Sequence, residues 1–187
     1  MQPAENGLIA SFLNDEQLPD SFVEIIANWY QPLANKLIEM RKNLDCPLIV
    51  GINGAQGTGK STLAKFLSLM LTHQQFRVAN LSLDDFYLDS NHRGQLARDV
   101  HPLLATRGVP GTHDLNLAEQ VVEELADPDS IGQLLLPRFD KAIDEPKPQS
   151  MWDAIELPVD VVLLEGWFTG LQPQTEETLA TAVNDLE

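Results

Sequence analysis

Three short apolar runs divide the chain, and each is followed by acidic or glycine-rich residues. They cover residues 48–52, 77–83 and 159–164. Apolar runs of this length, bounded by polar turns, are typical of strands buried in a parallel sheet. Helical periodicity separates them, so the pattern predicts an α/β fold in which helices flank a parallel sheet.

Apolar residues also recur at every third or fourth position between residues 18 and 43, which predicts an amphipathic helix or a helix pair. The predicted apolar face consists of Phe22, Ile25, Ile26, Trp29, Leu33, Leu37 and Met40. Pro32 marks a break or the first turn of a second helix, because proline fits a helix start but not its interior. We expect this face to pack in the core and to have no chemical role. The single cysteine, Cys46, is predicted to be a small buried residue leading into the first strand.

The long segment 84–158 contains one predicted helix, from near Asp114 to Ala126. Its remainder is rich in Pro, Gly, Asp and Arg, a composition typical of functional loops on a rigid scaffold. The tail from Gln172 is predicted to be polar, and helical near its end.

The charge balance limits the partners of the protein. The 187 residues include 28 acidic and 12 basic side chains, a formal charge of −16. Such a surface repels nucleic acid and anionic membranes, so we expect neither as a partner. No charged, apolar leader opens the sequence, and no apolar run approaches the about 18 to 20 residues that span a bilayer. A cytoplasmic location is therefore expected.

Residues 54–61, GAQGTGKS, match the phosphate-loop (P-loop, Walker A) pattern G-x-x-x-x-G-K-[ST] between the first strand and a helix. Its glycines let backbone N–H groups and a helix start point at one phosphate group. Lys60 would reach the phosphates, and the Ser61 hydroxyl would ligate Mg²⁺. The predicted nucleotide contacts are Gly54, Ala55, Gln56, Gly57, Thr58, Gly59, Lys60, Ser61 and Thr62.

A pair of aspartates follows the second strand, in the segment SLDDFY. Ligands of parallel α/β sheets bind at the carboxyl ends of strands, so Asp84 is a candidate base that removes the proton of an attacking hydroxyl. Asp85 is predicted to orient the acceptor or to hold Mg²⁺-bound water, and Tyr87 to contact the substrate. Which aspartate is the base stays open, and so does a turn with two solvated aspartates.

The third strand ends in VVLLEGW, where an apolar strand delivers Glu165 directly. This is the Walker B arrangement, in which a carboxylate holds Mg²⁺ or its water. Glutamate followed by glycine favours small-molecule kinases over motor-type ATPases. Lys60, Asp84 and Glu165 are therefore the predicted catalytic residues, and Ser61 with Glu165 the predicted metal ligands. A role for Trp167 stays open.

Four further residues of the insertion are candidate substrate ligands. Arg107 and His113 lie in RGVPGTHD, and Arg138 and Lys141 in LPRFDKA. Guanidinium and ammonium groups suit an anionic substrate or a transferred phosphoryl group. For each cation a solvated surface charge is an equal alternative, and His113 is either a substrate ligand or a hydrogen-bond donor at a helix start.

Taken in order, these segments resemble the D-glycerate 3-kinase group of P-loop kinases, relatives of uridine kinase, phosphoribulokinase and bacterial-type pantothenate kinase. The resemblance covers residues 48–168, with the segments GINGAQGTGKST, SLDDFY, RGVPGTHD, LPRFDKA and VVLLEGW. It implies a P-loop NTPase fold, ATP and Mg²⁺ as cofactors, and phosphorylation of D-glycerate to 3-phosphoglycerate. Asp84 matches the base of the family and Glu165 its second acid. The implied partner is a small anionic alcohol such as glycerate.

We expect the chain to form a single P-loop kinase domain over residues 1–187. Its predicted parts are an N-terminal helical segment (1–47), the P-loop core (48–83), the substrate region (84–158), and the Walker-B-like strand and tail (159–187). A chain of this length suits one domain.

The chain departs from the family pattern at two places. The family continues past the Walker B strand with further strands, an arginine-bearing lid and an adenine loop, so we expect a shortened protein or a fragment. Weak Mg-ATP binding and slow turnover are then expected. The exposed sheet edge would favour association with another chain, which could be a second copy, or with the missing half of the protein. The second departure is the acidic segment 144–146, where the resemblance implies a basic residue.

Two other interpretations stay open: a kinase of another small alcohol, of nucleoside or pantothenate type, and an ATP-binding module without a lid and with little activity. A nucleotide switch is disfavoured, because the sequence lacks an N-K-x-D motif for base recognition.

Overall fold

The structure, a computed structural model, describes residues 3–180. Its α-helices are α1 (Pro3–Asp15), α2 (Phe22–Ile25), α3 (Gln31–Lys42), α4 (Lys60–His73), α5 (Ser90–Asp99), α6 (Leu115–Ala126) and α7 (Glu176–Leu179). Its strands are β1 (Leu48–Asn53), β2 (Val78–Ser82), β3 (Gly132–Leu136), β4 (Phe139–Asp140), β5 (Glu145–Pro146), β6 (Asp153–Leu157) and β7 (Val161–Gly166). Residues 181–187, the end of the predicted tail, lie outside the described residues.

A parallel sheet forms the centre of the fold, with the strand order β1-β7-β2. The register pairs Glu165 of β7 with Ile52 of β1 on one side and with Ser82 of β2 on the other. The predicted α/β fold with a parallel sheet is confirmed. The third strand runs two residues further than predicted, so Glu165 lies within the ladder.

Helices cover both faces of this sheet. Successive residues of a strand point to opposite faces, and β7 shows this with Val161 and Leu163 on one side and Val162 on the other. The first face packs against α4, whose Phe66 contacts Phe12 of α1 edge to face at 5.3 Å. The second face packs against α6. The strand that carries Glu165 is thus held from both sides.

The N-terminal helical region differs from its predicted packing. Pro32 does lie in the first turn of α3, but a π-helical turn, Ile26–Tyr30, joins α2 to α3. Because this turn is wider than an α-turn, it rotates the apolar positions away from one common face. Ile26 and Leu37 are buried, whereas Trp29 is 72% exposed. The expectation that the whole stripe packs in the core is therefore wrong.

Cys46 is also exposed, because it lies in the turn before β1 rather than in the strand. Helix α1 lies within the predicted N-terminal helical segment, although the apolar periodicity located helices only between residues 18 and 43. Within the described residues, no helix combines the length and the apolar character needed to cross a membrane.

The insertion between β2 and β7 contains more regular structure than its composition indicates. The predicted helix is present as α6, and the Asp114 side chain caps it by accepting the Leu117 N–H at 3.0 Å. Helix α5 and the antiparallel pairs β3–β6 and β4–β5 were missed. Helix α5 escapes pattern analysis because it has no apolar face, and its one buried residue is Arg93.

An ion-pair network centred on Asp144 joins the parts of this insertion. Arg93, only 1% exposed, donates to the Asp144 carboxylate at 2.5 Å and to the Leu88 carbonyl at 2.6 Å. Arg107 donates to the other carboxylate oxygen of Asp144. Asp144, which stands in the segment where the resemblance implies a basic residue, thus pairs with two arginines, one of them buried.

We expect Asp144→Asn to lower the free energy of unfolding by about 3 kcal/mol, because it leaves the buried Arg93 without a counter-charge. Asparagine also tolerates the left-handed backbone at this position, where φ is 62°. The variant therefore tests the charge and not the turn.

Asp153→Asn is the matched control, since it breaks the exposed pair with Arg138 and should cost less than about 1 kcal/mol. Chemical denaturation of both variants measures the difference. Equal losses would show that the Asp144 network has no special role in stability.

Candidate active site

The P-loop lies between β1 and α4, with its glycines where the backbone turns. Gly57 and Gly59 have φ values of 74° and 88°, a conformation in which a side chain would be strained. Lys60 begins α4, and its ammonium group bends back to the Ala55 carbonyl at 3.0 Å. Gly59 has no side chain to cap the helix, so the first N–H groups of α4 can bind an anion.

Glu165 is the acid at the centre of the site. It stands near the carboxyl end of β7 and is 8% exposed. The Ser61 hydroxyl donates to its Oε1 at 2.8 Å, and the Ser82 hydroxyl donates to the same oxygen at 3.1 Å. The structure therefore brings the two predicted metal ligands together. It also adds Ser82, which the sequence analysis missed.

The donor set fits Mg²⁺ held largely by a nucleotide. The described residues include no group of three or more His, Cys, Asp or Glu side chains that could hold a metal ion by themselves. Mg²⁺ in phosphoryl-transfer sites usually keeps several waters and takes one or two protein ligands plus phosphate oxygens. Ser61 donates its proton to Glu165, so its oxygen lone pairs remain free for such an ion.

Asp84 is held by two donors in the 3₁₀ turn Leu83–Phe86 that follows β2. The Tyr87 hydroxyl donates to its Oδ1 at 2.8 Å, and the Lys141 ammonium donates to its Oδ2 at 2.6 Å. Burial acts to raise the pKa of Asp84, but the hydrogen bonds from Lys141 and Tyr87 outweigh it and hold the pKa below its ordinary value. Asp84 is therefore a carboxylate at neutral pH.

Asp85 has different partners although it is the next residue. Its carboxylate accepts the N–H groups of Ser82 and Phe139 at 3.3 and 3.2 Å and an Arg138 N–H at 3.3 Å. Burial raises the pKa of Asp85, and the Arg138 charge offsets this only in part. The partners of both residues argue against a turn with two solvated aspartates.

A cavity of about 260 Å³ brings the predicted chemistry together. Its lining residues are Gln56, Gly57, Lys60, Ser61, Asp84, Lys141, Glu165, Gly166 and Trp167. Phosphate loop, metal ligands and candidate base thus face one space. Trp167, left open above, forms part of its wall, and its indole N–H donates to the Gly108 carbonyl at 2.9 Å.

Of the six predicted substrate ligands, Lys141 belongs to this lining and five do not: Asp85, Tyr87, Arg107, His113 and Arg138. Asp85 lines a neighbouring cavity together with Arg138, whose Nε donates to Asp153 at 2.7 Å. Arg107 pairs with Asp144 and lies over the Phe139 ring at 5.6 Å. Of the three predicted cations, only Lys141 faces Asp84. Sequence reveals a charge but not its partner, and the two arginines are paired with aspartates.

His113 is packed behind Asp84. It is 5% exposed, and its ring lies 4.4 Å from the Tyr87 ring and 5.3 Å from that of Phe168. Burial lowers its pKa to about 4, although the Asp84 carboxylate opposes the shift. The imidazole is therefore neutral at pH 7, and its Nε2 has no hydrogen-bond partner among the described residues.

The chain is similar to known kinases in sequence and in structure. The chain is 32% identical over 149 residues to the chloroplastic D-glycerate 3-kinase of Arabidopsis thaliana, a match that covers 75% of this chain and 32% of that protein. It is 36% identical over 134 residues to the uncharacterised kinase mug58 of Schizosaccharomyces pombe, covering 68% and 48%. The chain thus spans between about a third and about half of the length of these relatives.

Among solved structures, a D-glycerate 3-kinase from Cryptococcus neoformans superposes with a TM-score of 0.66 at 32% identity, covering 82% of this chain and 57% of that chain. No protein-family model matches the sequence.

The neutral His113 predicts a pH dependence of stability. Its pKa falls from 6.5 to about 4 on folding, so its contribution is full above pH 6.5 and is lost as the pH falls towards 4. In that window the unfolded chain binds a proton that the folded chain does not. His113→Gln keeps a neutral polar side chain and should lose less stability than the wild type between pH 6.5 and 4.

Urea unfolding of both proteins across this range measures the difference, and an imidazole NMR titration gives the pKa directly. Parallel pH profiles for the two proteins would contradict the assignment.

Proposed function

This chain is a P-loop kinase related to D-glycerate 3-kinase, and we propose that it transfers the γ-phosphoryl group of ATP to a hydroxyl of a small anionic acceptor. One observation carries the proposal: Lys60, the Ser61–Glu165 pair and Asp84 line a single cavity. Phosphoryl transfer needs mainly positioning and electrostatic stabilisation, and these side chains provide both.

ATP and Mg²⁺ fit the residues of the loop. The N–H groups at the start of α4 and the Lys60 ammonium would hold the β- and γ-phosphates. Ser61 and Glu165 would hold Mg²⁺ directly or through its water, and the bound ion would neutralise charge that develops on the transferred phosphoryl group.

Asp84 is the proposed base. One of its oxygens is oriented by the Tyr87 hydroxyl, and the other is the oxygen that would take the proton of the acceptor hydroxyl. That second oxygen is bound to the ammonium group of Lys141, whose flexible side chain is 60% exposed.

Lys141 links acceptor charge to base strength. A carboxylate on the acceptor would compete with Asp84 for the Lys141 ammonium, because both are anions within its reach. Asp84 would lose an ion pair that holds its pKa down and would become a stronger base. Anionic alcohols such as D-glycerate would therefore be favoured over neutral ones.

D-glycerate is the proposed acceptor, because the named relatives include D-glycerate 3-kinases and the cavity presents Lys141 beside the base. A second candidate is an ATP-binding module with slow turnover. Among the described residues, the cavity is lined by two cations, Lys60 and Lys141, and by no arginine. This favours slow turnover, because an arginine that stabilises the transferred phosphoryl group strongly accelerates the reaction in related enzymes. A cytoplasmic location and self-association stay predictions.

The proposal is tested by coupled ADP release with D-glycerate, pantothenate, uridine and ribulose 5-phosphate as acceptors. D-glycerate should give the largest stimulation. Lys60→Ala should abolish it, whereas Lys65→Ala, in the same helix and paired with Glu16, should not. ATP binding without stimulation by any acceptor would favour the binding module, and stimulation by another acceptor would reassign the substrate.

Asp84→Asn should lower kcat by about 10² to 10⁴, because the amide cannot accept the acceptor proton, with little change in the KM for ATP. Asp85→Asn is the adjacent control. It loses a carboxylate that binds two backbone amides and Arg138, so its free energy of unfolding should fall. Its kcat should fall much less than that of Asp84→Asn. Small and equal losses of kcat at both positions would show that neither aspartate is the base.

A further inference from the structure

The Ser82 hydroxyl contacts both acids of the site, Glu165 through its side chain and Asp84 through its backbone. It is the last residue of β2 and lies beside Glu165 in the sheet register. Its Oγ donates to Glu165 Oε1 at 3.1 Å and accepts the Asp84 N–H at 3.3 Å. The proposed metal ligand and the proposed base are therefore one side chain apart.

The direction of both hydrogen bonds is fixed by chemistry. A carboxylate only accepts and a backbone N–H only donates, so the single Ser82 proton must go to Glu165 and a lone pair must receive the Asp84 amide. The Ser82 N–H in turn donates to Asp85 Oδ2 at 3.3 Å, which closes the turn after β2. No freedom remains for the hydroxyl to rotate without losing a partner.

Two donors at one oxygen also set the orientation of Glu165. Ser61 reaches Oε1 from α4 and Ser82 reaches it from β2, so rotation of the carboxylate would break at least one bond. Among the described residues, no donor reaches the other oxygen, Oε2. That oxygen is left for the metal or for its bound water.

We propose that Ser82 is a positioning residue, which orients the Glu165 carboxylate for Mg²⁺ and fixes the backbone that presents Asp84. The inference rests on the proposed function, because it assigns Ser82 to the metal site of that function. Residues that orient a metal ligand typically contribute about 10- to 100-fold to metal affinity.

The test is the Mg²⁺ dependence of ATP binding by the whole chain. Ser82→Ala should require about tenfold more Mg²⁺ for half of the maximal increase in ATP binding. Its ATP binding in EDTA should stay at the wild-type level. Ser82→Thr keeps the hydroxyl and suits a strand, so it should retain the wild-type Mg²⁺ requirement. Ser130→Ala is the matched control, since it removes a serine hydroxyl whose hydrogen-bond partner, among the described residues, is Asp127.

Three results would overturn the inference. An unchanged Mg²⁺ requirement in Ser82→Ala would show that Ser61 alone orients Glu165. An equal loss of ATP binding with and without Mg²⁺ in Ser82→Ala would indicate a purely structural role. A wild-type chain that binds no ATP at any Mg²⁺ concentration would overturn the proposed function and this inference together.

If Ser82→Ala does not fold, Ser82→Cys serves in its place. It has a similar size but only a weak donor, so it should show the same increased Mg²⁺ requirement. A wild-type requirement in Ser82→Cys would count against the proposal.

Discussion

The burial of Glu165 is the constraint on which the site depends. A carboxylate removed from water is costly unless donors satisfy it, and this one is almost fully buried at the carboxyl end of the middle strand. Two hydroxyl groups donate to it, that of Ser61 from the helix after β1 and that of Ser82 from the neighbouring strand β2. Satisfying one acid therefore fixes the P-loop helix and the second strand relative to β7.

The same requirement explains how a strongly acidic chain distributes its few cations. Arg93 and Arg107 are paired with Asp144, and Arg138 is paired with Asp85 and Asp153. Arginine suits such fixed pairs because its planar guanidinium binds carboxylates in defined geometry. The cations that line the cavity are lysines, whose flexible side chains can exchange partners when a ligand arrives.

Features that depend on local pattern could be predicted from the sequence. A pattern of about ten residues was enough to predict the P-loop, the strands that precede Asp84 and end at Glu165, and the capped helix α6. Partners that are distant in sequence could not be predicted, which is why the arginines seemed available for substrate. Helix α5 and the π-turn were missed for a related reason, since Arg93 and Trp29 break the usual relation between polarity and burial.

The two aspartates show how tertiary contacts assign different roles to identical neighbours. Consecutive side chains in a 3₁₀ turn point about 120° apart, so Asp84 and Asp85 cannot face the same space. Asp85 accepts the N–H groups of Ser82 and Phe139. It thereby closes the turn after β2 and connects this turn to β4. Asp84 is then left facing Lys141 and the cavity. The structural role of one carboxylate is what aims the other, so the order of the pair matters although its composition is symmetric.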